Sequence, residues 1–270
     1  MNLGSSAKRG QVPHLAPFVM ENASIEIDGN RILNDISLRI EAGDFVAILG
    51  ENGSGKTTLL RSLVGLLPLT LGSLTVYGQP IEHFSQWSSI AYVPQRLMAQ
   101  TAVPVSVEEA VMAARISPSR RFRRDVHLRS ATQTALETVG LWSRRNDRLD
   151  TLSGGQQRRV MVARALACEA STLILDEPTA GIDADSELRM ADTLADLHSA
   201  GKTIILVTHD LGPITDMANH VIVVGGKGTN AVLYDGPAPP PREIYDHVWH
   251  HHDDEPDPRG TNPSGLVSGP

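Results

Sequence analysis

The amino-acid sequence predicts an α/β fold whose mainly parallel β-sheet is covered by helices. From residue 172 onward, short apolar runs alternate with segments of helical periodicity, a pattern typical of strands joined by helical crossovers. A strand, a glycine-rich turn and a helix follow one another over residues 45–63, and a long helical stretch separates residues 90–93 from the strand at residue 172. We therefore expect a sheet core with a helical subdomain inserted between two of its strands.

The first hundred residues predict an antiparallel β subdomain beside the start of the parallel sheet. Residues 18–27 and 36–40 have the composition of strands, and Asp28-Gly29-Asn30 between them is a strong hairpin signal. We expect further strands at residues 45–49, 73–77 and 90–93, and a helix at residues 57–63.

The remaining two thirds of the chain predict a helical block followed by alternating strands and helices. Residues 106–167 have largely helical periodicity, which Gly140 and residues 153–155 interrupt. We expect the later strands at residues 172–175, 203–207, 221–224 and 231–234, and helices at residues 186–198 and 211–218.

These elements form one predicted domain, residues 18–235, with a helical subdomain at about residues 96–167. Residues 1–17 mix Gly, Ser, Pro and charge without periodicity, which predicts a flexible lead-in. From Gly236 the chain turns Pro-rich and then His- and Asp-rich, which is typical of a low-complexity tail, residues 236–270.

Composition limits the classes of function that the chain could have. Hydrophobic residues make up 41% of its 270 residues, which suits a soluble domain with a sizeable core. No apolar stretch approaches the roughly 20 residues that span a bilayer, and the first residues lack the apolar core of a secretory signal. Cys168 is the single cysteine, so no disulfide can form within the chain, and we expect a cytoplasmic protein.

The formal net charge of −7 argues against general nucleic-acid binding, so we expect no nucleic-acid partner. Arginine is nevertheless concentrated over residues 115–164, where twelve Arg stand against four acidic residues, and residues 120–124 are the densest part. Two interpretations of this segment stay open: a solvated helical face, and a surface near anionic lipid headgroups or a membrane partner.

Residues 50–57, the phosphate loop, fit the pattern G-x-x-x-x-G-K-[ST] that cradles the phosphates of a nucleoside triphosphate. The strand before it and the helix after it aim backbone N–H groups at one point, where the helix dipole also favours negative charge. Lys56 would reach the β- and γ-phosphates, and the Thr57 hydroxyl would coordinate Mg²⁺. The predicted nucleotide-binding residues here are Gly50, Glu51, Asn52, Gly53, Ser54, Gly55, Lys56, Thr57 and Thr58.

An apolar strand that ends in two carboxylates, Asp176 and Glu177, forms the second part of the predicted site. In a parallel sheet the carboxyl end of such a strand lies beside the phosphate loop, where ligands collect. We expect Asp176 to hold the Mg²⁺ shell and Glu177 to orient or polarise the attacking water, because phosphoryl transfer mainly needs positioning and charge neutralisation.

The run Leu152-Ser153-Gly154-Gly155-Gln156 predicts a second anion-binding helix start, with Ser153 as N-cap and glycines that allow close approach. With the phosphate loop and the acidic strand end, this run makes the chain resemble the nucleotide-binding subunits of ATP-binding-cassette (ABC) transporters, whose signature is L-S-G-G-Q. The resemblance covers roughly residues 18–235. It implies a P-loop NTPase of ABC type that binds and hydrolyses ATP with Mg²⁺.

The resemblance also implies how the site is completed. In the family the signature element binds the γ-phosphate of ATP held by the opposite protomer. We therefore expect a head-to-tail pair with a second copy of the chain, or with a related cassette, around two ATP molecules. The residues expected to reach that nucleotide or the partner are Ser153, Gly154, Gly155, Gln156 and, in the D-loop, Asp183.

Two further positions match the family. Gln95, in Tyr92-Val93-Pro94-Gln95, matches the Q-loop glutamine, which touches Mg²⁺ or the water and hinges the helical subdomain to the membrane partner. His209 follows an apolar strand and matches the switch histidine that contacts the γ-phosphate. The expected catalytic residues are therefore Glu177, His209, Gln95 and Lys56.

One position departs from the family pattern. An aromatic residue near the end of the first strand usually stacks on the adenine, and Ile27 stands at the matching place. An aliphatic contact gives up aromatic stacking worth about 1 kcal/mol. Either base selectivity is looser or another residue covers the ring, and the assignment of ATP over GTP rests on the resemblance.

As a lone cassette, the chain is similar to the ATPase subunits of importers whose membrane subunits are separate polypeptides. The resemblance implies integral permease subunits, an extracytoplasmic solute-binding protein and a place on the cytoplasmic face of the membrane. Residues 92–95, 104–107 and 178–183 are similar to the zinc/manganese uptake branch. The alternatives are the ATPase of an efflux or lipid-moving ABC system and a soluble, non-transport ABC ATPase.

The C-terminal tail carries a cluster of potential metal ligands beside acidic residues: His247, His250, His251 and His252. Neutral imidazole is the commonest ligand for borderline divalent metals, and nitrogen sites favour zinc over manganese. Capture or sensing of Zn²⁺ and a solvated polar tail are the two interpretations of this cluster.

Overall fold

The computed structural model of the chain describes residues 15–95, 104–114, 128–168, 170–179, 184–208, 215–225 and 231–244. These residues contain ten β-strands and five α-helices. The strands are β1 (Phe18–Ile27), β2 (Asn30–Ile40), β3 (Phe45–Leu49), β4 (Leu71–Val76), β5 (Gln79–Pro80), β6 (Ile90–Val93), β7 (Thr172–Asp176), β8 (Thr203–Val207), β9 (His220–Val224) and β10 (Val232–Pro237). The helices are α1 (Lys56–Leu63), α2 (Val107–Ala113), α3 (Leu128–Thr138), α4 (Gly154–Ala167) and α5 (Ala184–Ser199).

The central sheet has six strands in the order β10-β9-β3-β8-β7-β6. Neighbouring strands are parallel except for β9 and β10, which are antiparallel. The predicted, mainly parallel sheet is therefore confirmed. Because the parallel strands run in one direction, their carboxyl ends share one edge, where α/β proteins bind ligands.

A second sheet of four antiparallel strands, in the order β2-β1-β4-β5, confirms the predicted β subdomain. Its first hairpin turns through two left-handed residues, Asp28 (φ 51°) and Gly29 (φ 77°), and Ile27 pairs with Asn30. Two such residues are typical of a type I′ turn, whose twist matches that of the strands. The ladder continues up to this turn, so β2 begins at Asn30 and not at the expected residue 36.

Alternate residues of the parallel strands point into two separate hydrophobic cores. In β3, Phe45, Ala47 and Leu49 face a core shared with α2 to α5, whereas Val46 and Ile48 face a core shared with α1 and the antiparallel sheet. All five side chains are fully buried. Strands that are covered on both faces need apolar residues throughout, which explains their continuous apolar runs in the sequence.

The inserted helical subdomain lies between β6 and β7, where α2, α3 and α4 pack around one core. Gly140 follows α3 in a left-handed conformation (φ 66°), and Ser153 caps α4, so both predicted helix breaks are confirmed. Two short 3-10 turns, Trp142–Arg144 and Leu149–Thr151, fill the connection to α4. The bounds of the predicted domain and of its helical subdomain stay predictions.

The last part of the chain differs from expectation in detail. Where a helix was expected at residues 211–218, the described part of that range contains a 3-10 turn, Thr215–Met217. Among the described ranges, no helix is both long and apolar enough to cross a membrane. Most of the predicted lead-in and tail, and the densest part of the arginine-rich segment, lie outside the described residues.

Several arginines of the arginine-rich segment make local contacts that anchor the helical subdomain. Arg148 pairs with Asp150 at 2.6 Å, and the Arg145 guanidinium lies 4.6 Å from the ring centroid of Trp142. These arginines hold loops in place through specific contacts. A role near lipid headgroups for the whole segment stays a prediction.

Candidate active site

The phosphate loop joins the end of β3 to α1, which begins at Lys56. A Cβ at Gly50 would lie 2.3 Å from the carbonyl oxygen of Val224, and one at Gly55 would lie 2.8 Å from Leu33 Cδ2. Both glycines also have positive φ, 148° and 102°. The loop can therefore keep this shape only with glycine at these two positions.

The Lys56 ammonium is held inside the phosphate loop. Its Nζ donates to the carbonyl oxygens of Gly50 and Glu51, both at 2.7 Å, and the residue is only 5% exposed. Burial lowers the pKa of Lys56, while the charges of Glu177 and Asp176 oppose this shift. The cation therefore lies close to the two carboxylates at the end of β7, where phosphoryl transfer requires positive charge.

The phosphate loop also contains a buried hydroxyl, Ser54 Oγ, that has no hydrogen-bond partner within the described residues. A buried polar group left unpaired costs about 1–3 kcal/mol, so it indicates that a ligand supplies the partner. Asn52 and Gly53 are exposed at the tip of the loop, and Thr57 and Thr58 are half-buried at the start of α1. The loop thus fits an anionic ligand such as a nucleoside triphosphate.

Asp176, the last residue of β7, lies between two hydroxyl groups. Thr57 Oγ1 is 3.4 Å from its Oδ1, and the Tyr92 hydroxyl is 3.4 Å from its Oδ2. Burial raises the pKa of the Asp176 carboxyl, and the charge of Glu177 adds to the rise against the hydrogen bonds from the two hydroxyls. Carboxylate and hydroxyl oxygens are hard ligands of the kind that Mg²⁺ prefers, so Thr57 and Asp176 fit a Mg²⁺ site.

Glu177 has an unusual backbone conformation directly after β7. Its φ of 47° lies in the left-handed region, and its N–H donates to the carbonyl oxygen of Val207 at 3.0 Å. The side-chain amide of Gln95 donates to the Glu177 carboxylate. A non-glycine residue in this region costs about 1–3 kcal/mol, and such strain at the carboxyl edge of a parallel sheet indicates a functional position.

The signature residues, 153–156, form the N-terminus of α4. Ser153 Oγ accepts the Gln156 N–H at 3.3 Å, and Gln156 Oε1 accepts the Ser153 N–H at 3.0 Å, which completes a capping box. Ser153 and Gly154 are exposed, and a Cβ at Gly154 would meet nothing within 4 Å. This helix start is therefore open to an anion from outside the chain.

The structure brings five of the predicted residues together at the carboxyl edge of the parallel sheet: Lys56, Thr57, Gln95, Asp176 and Glu177. His209 and Asp183 lie outside the described residues, as do the tail histidines His247, His250, His251 and His252. Within the described part of the chain, no three His, Cys, Asp or Glu side chains group as a metal-ion site.

Two residues at this edge escaped the sequence analysis. Tyr92 reaches Asp176 because β6 pairs with β7 and sets Tyr92 opposite Ile174, two residues before the carboxylate. Arg158, on the second turn of α4, donates from Nη1 to the carbonyl oxygens of Glu177 and Pro178, both at 3.4 Å. The apolar pattern of the strands does not report which strands pair, so no sequence signal could have found the Tyr92 contact.

Ile27 lies at the end of β1 and is 36% exposed. Two other aliphatic side chains, Ile32 and Leu33, lie against the phosphate loop at Gly55. That Ile27 stands at the place of the adenine-stacking residue stays a prediction.

The sequence profile of the ABC transporter family matches residues 33–180 of this chain. The chain belongs to the ABC transporter family. The match includes the phosphate loop, the signature residues and the two carboxylates Asp176 and Glu177. The predicted fold class, a P-loop NTPase of ABC type, is thereby confirmed, and the chain is an ATP-binding cassette with the ATPase activity of that family.

Relatives cover most of this ABC cassette. The zinc uptake system ATP-binding protein ZurA of Listeria innocua is 34% identical over 81% of this chain and 85% of its own. The manganese transport system ATP-binding protein MntB of Bacillus subtilis is 34% identical over 77% and 83%. The chelated iron transport system membrane protein YfeB of Yersinia pestis is 35% identical over 82% and 74%.

Solved structures share the fold of this ABC cassette. One neighbour belongs to a metal-chelate-type ABC transporter in an inward-facing conformation, with a TM-score of 0.73 and 25% identity over 87% of this chain and 89% of its own. Another is cbiO1 of Clostridium perfringens, part of an ABC transporter complex, with a TM-score of 0.72 and 28% identity over 85% and 90%.

Proposed function

We propose that this ABC cassette hydrolyses ATP to drive the uptake of zinc or manganese through separate membrane subunits. The observation that carries this cargo assignment is the similarity, over more than three quarters of the chain, to ATP-binding proteins named for zinc and manganese transport. A relative named for chelated iron makes iron the first alternative cargo.

ATP would bind at the carboxyl edge of the parallel sheet. The N–H groups of the phosphate loop and the Lys56 ammonium would bind the phosphates, and the Ser54 hydroxyl would gain a partner there. Thr57 and Asp176 would hold Mg²⁺, which when bound neutralises charge on the β- and γ-phosphates. The buried Lys56 is already held in the loop by two carbonyl oxygens, so its charge is placed before the nucleotide arrives.

Glu177 would hold the attacking water in line with the γ-phosphate and accept its proton. The Gln95 amide donates to this carboxylate and would fix its orientation. The strained backbone of Glu177 supports this role, because strain of this kind persists where the surrounding structure fixes a functional group. His209, which lies outside the described residues, is proposed to contact the γ-phosphate.

The second half of each ATP site would come from another cassette. The exposed helix start at Ser153 and Gly154 supports this, because the capping box uses only the N–H groups of Ser153 and Gln156 and nothing fills the space beside Gly154. We propose a head-to-tail pair of two copies, or of one copy and a related cassette, with Asp183 at the contact between them.

The membrane subunits would bind beside Gln95. A groove of about 710 Å³ opens there, lined in part by Tyr92, Pro94 and Met161, and Leu66 at its side is 65% exposed. An apolar groove next to a residue that contacts Glu177 suits a partner whose motion must reach the ATP site. Integral permease subunits, an extracytoplasmic solute-binding protein and a place on the cytoplasmic face of the membrane are parts of this proposal.

The histidines of the tail are proposed to capture Zn²⁺: His247, His250, His251 and His252. Imidazole nitrogens favour zinc over manganese, which supports zinc as the metal they bind, whichever metal is transported. Calorimetric titration of the full chain with Zn²⁺, compared with a variant in which all four histidines are alanine, tests this. Equal heats from both chains would remove the tail from the proposal.

Elemental analysis of cells tests the cargo. Zinc, manganese and iron are measured during metal limitation in cells that carry either the native chain or Glu177→Gln. A selective fall in zinc or manganese in the variant is the expected result. Glu82→Gln is the matched control, because it makes the same chemical change at an exposed position away from the phosphate loop.

The remaining outcomes separate the alternatives. A fall confined to iron would contradict the zinc or manganese assignment and name the other cargo. A rise in one metal would indicate the ATPase of an efflux system. No change in any of the three metals would contradict metal transport and leave the ATPase assignment of the family in place.

A further inference from the structure

The loop of residues 144–149 follows α3 in the chain and contacts both the start of α2 and the start of α4. The Val107 N–H donates to the Asp147 carbonyl at 3.0 Å, and the Glu108 N–H donates to the Arg145 carbonyl at 2.9 Å. These bonds cap the first turn of α2 with the carbonyls of the 144–149 loop. The loop is therefore held on the α2 side by backbone contacts, independently of its side chains.

Arg144 extends this loop to the signature residues. Its Nε donates to Asp147 Oδ2 at 2.7 Å, and its Nη1 donates to Gln156 Oε1 at 2.7 Å. The same Gln156 oxygen accepts the Ser153 N–H at 3.0 Å. A guanidinium fixed by a carboxylate has lost the freedom to swing, so it holds the glutamine in one orientation.

The chemistry of these neighbours decides which way the Gln156 amide faces. A guanidinium and a backbone N–H can only donate, so the atom between Arg144 and Ser153 must be the amide oxygen. The NH₂ group of Gln156 consequently faces away from the capping box as a donor. Without Arg144, only the bond from the Ser153 N–H would distinguish the two orientations of the amide.

We propose that Arg144 is a positioning residue that orients the Gln156 amide, so that its NH₂ group is presented as a donor to the nucleotide bound by a second copy of this chain. This inference rests on the head-to-tail pairing of the proposed function. Arg144 itself is not required to touch the nucleotide. Its contribution passes through Gln156, which makes the two residues energetically coupled.

The test measures ATP-driven pairing of the full chain in the Glu177→Gln background, where slow hydrolysis keeps ATP bound. Sedimentation with saturating ATP and Mg²⁺ gives the dissociation constant of the dimer. Adding Arg144→Ala is expected to raise that constant about tenfold, which corresponds to about 1.4 kcal/mol. ATP affinity of the monomer should not change, since the phosphate loop of the same chain is untouched. The unfolding midpoint should fall no further than it does in Arg148→Ala, which also loses a guanidinium–carboxylate contact.

Arg148→Ala is the matched control. Arg148 lies in the same 144–149 loop and pairs with Asp150 at 2.6 Å through a similar guanidinium–carboxylate contact. Within the described part of the chain, the Arg148 side chain forms no hydrogen bond or ion pair with the signature residues. Arg148→Ala should therefore leave the dissociation constant of the dimer within about twofold of the starting value. Arg144→Lys should restore part of the loss, because an ammonium can reach one acceptor but not both in a fixed fork.

A double-mutant cycle with Gln156→Ala decides the mechanism. If Arg144 acts through Gln156, then Arg144→Ala costs nothing further once Gln156 is removed. An equal loss with and without Gln156, or an equal loss from Arg148→Ala, would overturn the inference. If the Glu177→Gln chain with native Arg144 does not dimerise in the presence of ATP, the head-to-tail pairing itself is contradicted. The inference about Arg144 would then fall with it.

Discussion

The two ends of the parallel sheet both carry polar side chains, but those side chains are held in different ways. At the carboxyl end, the hydroxyls around Asp176 lie at 3.4 Å, Ser54 Oγ lacks a partner in the described part of the chain, and Glu177 has a strained backbone. At the amino end, His220 bonds Asp235 at 2.5 Å, and Asn219 Oδ1 accepts the first N–H of β3 at 2.9 Å.

The difference between the two ends indicates that the same strands serve ligand binding at their carboxyl ends and fold stability at their amino ends. Short hydrogen bonds at the amino end hold the first residues of β3, β7 and β9 and stabilise the fold. At the carboxyl end, Lys56 and Gln95 are also firmly bonded, but Asp176 has only long bonds, and Ser54 Oγ has no partner within the described residues. These groups, beside the strained backbone of Glu177, are left for a ligand to satisfy. β7 shows both, because Tyr77 bonds its first residue, Thr172, at 2.7 Å, while Tyr92 reaches its last residue, Asp176, at 3.4 Å.

Glu177→Gln should have the largest effect and should leave stability almost unchanged. We expect ATP turnover to fall about 10³-fold, because a general base contributes 10² to 10⁴ in rate, while ATP still binds. Steady-state ATPase measurements and equilibrium nucleotide binding check this. Normal turnover in the variant would refute the role of Glu177, and Glu82→Gln should behave like the native chain.

Substitution of one lysine at each end of the sheet should give the next largest difference between the two ends. Lys56 bonds carbonyls of the phosphate loop, and Lys202 at the other end bonds the Ala170 carbonyl at 2.7 Å. Lys56→Ala should weaken ATP binding about 30-fold through lost charge-assisted bonds to phosphate, whereas Lys202→Ala should leave binding unchanged. Calorimetry with ATP measures both, and equal losses from the two variants would show that the two ends are not functionally distinct.

The amino end should respond to pH. The hydrogen bond from Asp235, with that of Asp44, raises the pKa of His220 from 6.5 to about 9. Its stabilising contribution is therefore fully present below pH 6.5 and is lost as the pH rises through about 9. Allowing for solvent screening, His220→Gln should cost about 1–2 kcal/mol of unfolding free energy at pH 6 and little above pH 10.

Chemical denaturation between pH 6 and about 10 measures this pH dependence. Asp235→Asn should remove most of it, because the imidazolium then loses the carboxylate that accepts its strongest hydrogen bond. A constant difference between the native chain and His220→Gln across this range would contradict the proposed charge of His220.

The smallest effects should come from Tyr77 and Tyr92, the two tyrosines that contact the first and last residues of β7. Tyr77→Phe should lower the unfolding free energy by about 1 kcal/mol without changing ATPase activity. Tyr92→Phe should leave stability nearly unchanged and raise the Mg²⁺ concentration for half-maximal activity about threefold, because Asp176 loses a donor that orients it. Chemical denaturation measures the change in stability, and titration of ATPase activity with Mg²⁺ measures the change in Mg²⁺ dependence. A stability loss from Tyr92→Phe and a changed Mg²⁺ dependence from Tyr77→Phe would contradict the comparison.

Much of the fold was predictable because its signals are local. β3, the phosphate loop and α1 follow one another without a break, and β3 and β8 begin and end at the expected residues. The hairpin turn at Asp28 and Gly29 and the cap at Ser153 are equally local. The late 3-10 turn at Thr215–Met217 escaped because a short apolar segment does not distinguish a full helix from a single turn.

The sequence by itself determined which elements form and which residues bear phosphate-binding chemistry, since caps, glycine turns and apolar periods involve neighbours within a few residues. Only the tertiary structure decided that Thr57 meets Asp176, 119 residues away, and that Gln95 meets Glu177, 82 residues away. It alone revealed the bonds of Tyr92 and Arg144. The physical reason is that strand order and helix packing set such contacts through the burial of the whole core, a quantity that no local stretch of sequence contains.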